Sequence, residues 1–475
     1  MKISKLYIPF VCASLLLGSC DSLLDTESKT LLSQEQIQTE KGCEAMLIGA
    51  YDLLQSAYLY GRDLINIPEV LADNSTLSPT ATRYKGQADN RIGSHVDIWV
   101  DSYQIIALLN EVISYAEELP ETSKAKAVLG EALALRGFTY FNLARVYGRE
   151  PGHLVDNFQL CVPLLLKPFY YNGGQLGEDV YPARATVTET WAQIENDMTR
   201  GFELMKGNET NSTHRMSALS CMALLSRVYL YEGKWQECID AANYVTANAK
   251  QKVFDGTDYK ELFKTQSESL FYVFFTESEG LGSSSLQSTN GMLPSEIDEE
   301  GYDLAKGVGD GDLVMSDELV SLYQPEDIRF QSLRKAKING IKAWWTTKYG
   351  GYLGVFGLDN VPVIRISEVV LNRAEAEAEL NHTDAAQDDV NEIRTKRGLT
   401  ETTATGTDLL NEVLLQRRLE LCQEGHRFFD LKRRGQNITK PAGRTEVAYE
   451  DFRVVGRISD TQMDANKNLV NNPGY

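Results

Sequence analysis

Near the C-terminus the chain reads RRLELCQEGHRFFDLKRRG, residues 417–435. Glu420, Glu424, His426 and Asp430 stand there among Arg417, Arg418, Arg427, Lys432, Arg433 and Arg434, around the pair Phe428–Phe429. The whole chain has five histidines, so one flanked by carboxylates invites a catalytic reading. His426 would be a general base, oriented by Glu424 or Asp430. The competing reading is structural. Gly425 breaks a helix spanning Glu412 to Cys422, and a second helix starts at His426. Phe428 or Phe429 plugs the core, and the charges pair at the junction, because buried charges persist only when paired. The structural reading is favoured.

No other stretch offers stronger chemistry. The sequence lacks HExxH, a Walker loop, GxSxG and any metal-ligand spacing of Cys and His. A glycosidase needs two carboxylates set roughly 5–10 Å apart across the sugar. With 67 acidic residues such a pair can always be imagined, so it carries no weight. The oxygen-rich GVGDGD at 307–312 suits Ca²⁺ in kind, but EF-hand spacing is absent and a plain turn is the expectation. No catalytic residue, metal or cofactor is expected.

Ligand binding leaves a different trace. Sugars present apolar faces, which aromatic rings stack on, and hydroxyl rims, which polar side chains bond. KAWWTTKYGGYLGVFG at 342–357 supplies Trp344 and Trp345, beside Tyr349 and Tyr352. Neighbours on a strand point to opposite faces, so at most one of the two tryptophans faces a ligand. Tyr302, in an acidic stretch, is a further aromatic candidate. Asp73, Asn74, Arg83 and Tyr84 are the candidate polar partners. Trp99, Trp191 and Trp235 fall in helical patterns and are expected in the core.

The elements that must hold these residues are mostly helical. From Gln36 to Tyr60, Ala45, Ile48, Leu53 and Leu54 fall on one side, and Ile98 to Leu119 repeats the pattern. Segments 131–148, 217–245 and 366–398 each carry small residues at helical spacing. Two of them continue through a short turn into a second amphipathic helix. This is the logic of tetratricopeptide helix hairpins, here degenerate and widely separated. Loops at 61–97, 149–187 and 276–361 interrupt the scaffold, and loops this long usually carry function.

The first residues read as a secretory signal, residues 1–19. Lys2 and Lys5 precede a short apolar run, and Leu17-Gly18-Ser19 leads to Cys20, a lipidation site of lipobox type. Residues 20–475 then form one domain outside the cytoplasm. The formal net charge of −20 disfavours nucleic acid as a partner. Of the remaining cysteines, three lie in apolar helical context and read as buried thiols.

Several strings together resemble one family. QRRLELCQEGHRFFDLKRRG is similar to the C-terminal signature of the SusD/RagB family, starch-utilisation-type outer-membrane lipoproteins of Bacteroidetes. ALALRGFTYFNLARVYG, ALLSRVYLYEGKWQECIDAA, VIRISEVVLNRAEAEAEL, VNEIRTKRGL, the start CDSLLD and the end NNPGY follow in family order. The resemblance covers Cys20 to Tyr475. It implies a SusD-like fold and a non-catalytic, surface-exposed protein lipid-anchored in the outer membrane. Such a protein captures oligosaccharides or polysaccharides and passes them to a SusC-like TonB-dependent transporter. Some members of the family serve peptides or other nutrients, and that alternative stays open, as does, behind it, a glycosidase on a helical scaffold. The family's sugar site lies in variable loops, so no motif carries its residues over.

Overall fold

A computed structural model of the chain describes residues 34–169, 171–172, 175–176, 181–208, 212–291, 294–299, 301, 303–305, 309–338 and 341–475. Residues 1–19, expected to be a signal, Cys20 and Tyr302 lie outside the described residues.

The scaffold is an array of helices: α1 (Glu40–Asp52), α2 (Asp63–Leu71), α3 (Trp99–Ala116), α4 (Ser123–Tyr147), α5 (Val187–Met205), α6 (Ala218–Glu232), α7 (Trp235–Asn248), α8 (Ile366–Glu379), α9 (Thr383–Lys396), α10 (Gly406–Leu421) and α11 (Arg427–Arg433). Neighbours pack in sequence: α1 on α3, α3 on α4, α4 on α5, α5 on α6, α6 on α7, and α8 on α7, α9 and α10. The fold is therefore mostly α, built of helix hairpins with long insertions.

Glycine sets the closest approach. A Cβ on Gly130 of α4 would lie 2.8 Å from the Gly201 carbonyl of α5, and one on Gly201 would lie 2.7 Å from the Gly130 carbonyl. Any side chain there would push the two helices apart. Trp191 and Phe141 meet edge-to-face at 5.7 Å across the same pair. One main apolar cluster runs from Cys43 to Leu469, so distant parts of the chain share a core. Cys43, Cys161, Cys221, Cys238 and Cys422 are all buried and unpaired. Among the described residues no helix is long and apolar enough to cross a membrane.

Three expectations change. The stripe read along α1 is not its buried face: Cys43, Leu47 and Ala50 are buried, while Ile48 is 52% exposed. The segment 61–97 is not all loop, since α2 lies within it and all nine of its residues are buried, Asp63, Asn66 and Glu69 included. Its acidic and amide residues and Pro68 mimic a surface segment. The segment 276–361 contains a sheet of four strands in the order Pro294–Ile297, Asp303–Ala305, Leu333–Ile338, Ile341–Thr346.

The strands that matter below are β1 (Ser75–Leu77), β2 (Ser269–Val273), β3 (Leu313–Met315), β4 (Leu333–Ile338), β5 (Ile341–Thr346) and β6 (Val361–Arg365). β1 pairs antiparallel with β3, which ties the 61–97 segment to the 276–361 insertion. β2 pairs antiparallel with β6.

Candidate functional site

The charged C-terminal string is spent on the scaffold. Glu420 is fully buried and accepts from Arg365 Nη1 at 2.7 Å and Arg397 Nη2 at 2.8 Å, with Arg329 Nη1 at 3.4 Å. Burial alone would raise its pKa, but Arg397 and Arg365 override that and hold the carboxyl well below its ordinary range. Glu424 accepts from Lys348 Nζ at 2.6 Å and Arg365 Nε at 2.9 Å. Asp430 takes Arg417 and Arg433, and Glu375 takes Arg433 and Arg434. Phe428 and Phe429 are fully buried.

Gly425 lets the string turn, at φ +81°. A Cβ there would meet the Leu64 carbonyl of α2 at 2.6 Å. The Gly425 and His426 amides then donate to Glu69 Oε1 at 3.0 and 3.1 Å, which satisfies two free N–H groups at the start of α11. His426 itself is buried, with Nε2 3.8 Å from Glu368. Burial lowers its pKa to about 3 against the pull of Glu368. A neutral imidazole sealed in the core reaches no substrate. Among the described residues no group of His, Cys, Asp or Glu is arranged to hold a metal ion.

The candidate binding residues divide in two. Four of them are structural. Trp345 is fully buried against Val314 and Ala336. Asp73 is clamped by Arg427 Nε at 2.6 Å and Arg418 Nη2 at 3.2 Å. Asn74 donates to Glu69 Oε2 at 2.8 Å and accepts from Arg418 Nε at 2.9 Å. Tyr84 is buried and donates to Asp63 Oδ1 at 2.9 Å. These four offer no free surface to a ligand, which corrects the expectation for each. For Asp73, Asn74 and Tyr84 the reason is that α2 is buried, so the polar groups after it turn inward; Trp345 is covered by β3 and β4.

Two candidates keep exposure. Trp344 is half-buried on the opposite face of β5 from Trp345. Its ring meets Phe330 at 5.1 Å, and Lys335 of β4 lies over it at 5.3 Å. Arg83 is half-buried and joins two insertions. Its Nη1 donates to Asp310 and, at 2.8 Å, to Asp312 Oδ2. The Thr82 and Arg83 amides also donate to Asp312 Oδ1, at 2.7 and 3.1 Å. The acidic turn read as a weak Ca²⁺ motif therefore serves as an arginine staple. Trp344 packs by Phe330 and Lys335, while Arg83 is tied to Asp310 and Asp312, so each keeps exposure in a different setting.

Sequence reasoning missed Tyr272, Phe274 and His214, which border a surface cleft with Gln55 and Glu279. The signal was present in SLFYVFF at 269–275. There Tyr272 and Phe274 keep exposure between the buried Phe271, Val273 and Phe275.

Comparison with known proteins points to one family. The SusD family model matches residues 356–475. A second model, described as starch-binding associating with outer membrane, matches residues 22–230. In both regions the chain is similar to the SusD/RagB family. It is 24% identical to SusD-like protein P2 of Formosa agariphila, over 99% of this chain and 100% of that one. A SusD superfamily protein of Bacteroides thetaiotaomicron superposes with a TM-score of 0.79 at 25% identity, covering 92% of this chain and 100% of that one. A laminarin-binding SusD-like protein shares the fold at a TM-score of 0.71 and 23% identity, covering 92% of this chain and 99% of that one. The C-terminal string discussed above falls inside the first matched region, in its entirety.

Proposed function

We propose that this SusD-like chain captures oligosaccharides at the cell surface without cleaving them and delivers them to a SusC-like TonB-dependent transporter. The reading takes residues 1–19 as signal and 20–475 as a single domain, carried on the outer face of the outer membrane by lipid on Cys20. The observation that carries it is the family match over residues 22–230, whose model is described as starch-binding associating with outer membrane. The C-terminal geometry supports the same side: the one conspicuous acid–base cluster is consumed by internal pairing. A structural neighbour that binds laminarin points to glucans as the first ligands to try.

On a loop-built face Trp344 is the stacking platform, and Arg83 with Asp310 supplies hydroxyl partners. Lys335 lies over the Trp344 ring at 5.3 Å. The test is affinity electrophoresis through gels containing laminarin or starch. Retardation of the protein, weakened by Trp344→Ala and by Arg83→Ala, supports the assignment. Unchanged retardation in both variants rejects those residues, and binding of peptides in place of any glycan rejects the ligand class. Membrane fractionation of Cys20→Ala checks the anchor, with release from the membrane expected.

A further inference from the structure

Tyr272 of β2 and Phe274, just past its end, keep exposure, and Phe274 is 42% exposed. His214, in the segment leading into α6, sets its ring 5.2 Å from Phe274 at 34°. The same ring lies 6.2 Å from Tyr272. Ile48 of α1 stands across from them, and together they border a cleft of about 360 Å³. That is within the range of small-molecule clefts, ~300–1,000 Å³. Apolar groups grouped in a concavity, with a polar rim, mark a recognition surface better than scattered exposed residues do.

The rim is polar. Gln55 Nε2 donates to the Phe274 carbonyl at 2.7 Å and to Glu279 Oε2 at 3.1 Å, which holds the platform in place. Arg215 is neutralised by Glu131 at 2.9 Å and Glu44 at 2.9 Å. Asp52 and Tyr272 also line the cleft. Burial, then the nearby Arg215 charge, lowers the His214 pKa, so its ring is neutral at pH 7. Asp52 and Glu279 therefore leave the rim negative, and an anionic ligand is disfavoured.

We infer that this cleft is a second binding site, for a neutral pyranose unit of an oligosaccharide. The apolar face of the sugar lies on Phe274 and His214. Its hydroxyls donate to Asp52 and accept from Tyr272. The inference rests on the glycan-capture reading, but no residue of the Trp344–Arg83 face lines this cleft. Two separated sites on one chain would hold a polysaccharide at two points and raise its avidity without new contacts at either.

The test follows the His214 ring resonances by NMR in the full chain and in Trp344→Ala. Neutral glucan, xylan and mannan oligosaccharides are the probes, with oligogalacturonate as the acidic control. A saturable shift with a neutral oligosaccharide in both proteins is expected. It should weaken about tenfold in Phe274→Ala and also fall in Asp52→Asn, a change that leaves the apolar floor intact. The acidic control should leave the resonances unmoved. His214 resonances unmoved by every neutral probe would overturn the inference, and so would a shift with the acidic control alone. The two readings separate cleanly. Retention that depends on Trp344 without any His214 shift leaves the loop face standing and removes the cleft. A His214 shift together with gel retention that Trp344→Ala leaves unchanged does the reverse.

Discussion

Two arginine–carboxylate assemblies show opposite uses of the same chemistry. Beneath α10 and α11, Arg329, Arg365 and Arg397 converge on Glu420, and all four side chains are at most 1% exposed. At the loop face a single arginine, Arg83, staples Asp310 and Asp312, and its side chain is 29% exposed. The buried lattice has no slack: each carboxylate has several cations and each guanidinium several acceptors. The staple joins two insertions and remains wet. The first assembly makes a rigid frame, and the second positions a surface that can vary.

Breaking the buried lattice should have the largest effect. Glu420→Ala leaves three buried guanidinium groups short of a partner. Removing one partner of a buried pair costs about 3–5 kcal/mol, against a total stability of roughly 5–15 kcal/mol. Denaturant unfolding should show a loss at or above that range, or no folded protein.

Acid sharpens the same contrast. Burial lowers the pKa of both His95 and His426 to about 3. An unfolded imidazole takes a proton near pH ~6.5, whereas these two resist until far lower. Their contribution is therefore complete above pH ~6.5 and is lost as pH falls from there toward 3, with up to ~1.4 kcal/mol per pH unit from each. Stability measured from pH 7 down to pH 4 should fall, and His426→Gln should flatten that fall at the cost of stability at pH 7.

The loop face should respond in binding more than in folding. Trp344→Ala should lower glycan affinity about tenfold, with a stability loss of ~1–2 kcal/mol from its contact with Phe330. Arg83→Ala is the mildest. A partly exposed ion pair is worth roughly 0–1 kcal/mol, so global stability should hardly change. Hydrogen exchange around residues 309–312 should quicken, because the staple orders that turn.

These differences also explain what could be read from the chain. The scaffold helices were legible because their signals are local: periodic apolar residues, small residues where α4 meets α5, and Gly425 at the α10–α11 break. The structural role of the C-terminal string was legible because a dense mixture of both charge signs around Phe428–Phe429 has few fates other than pairing. The burial of α2 was not, since Asp63, Asn66, Glu69 and Pro68 look like loop residues until α11 and Arg418 are brought against them. Trp344 and Trp345 illustrate the limit. Alternation said that only one could face outward, but which one depends on Val314 of a distant strand, which covers Trp345. The cleft at Phe274 was hidden for the same reason, because Ile48 reads as core until its neighbours on α1 are seen to be the buried ones.

The most direct test is to incubate the wild-type chain with laminarin and starch, measuring retention in affinity gels and new reducing ends in the same samples. Retention with no new reducing ends is the predicted result: a frame that holds sugar and does no chemistry. Reducing ends that accumulate in proportion to protein and time would contradict it, and would mean that a working carboxylate pair stands outside the internally paired charges.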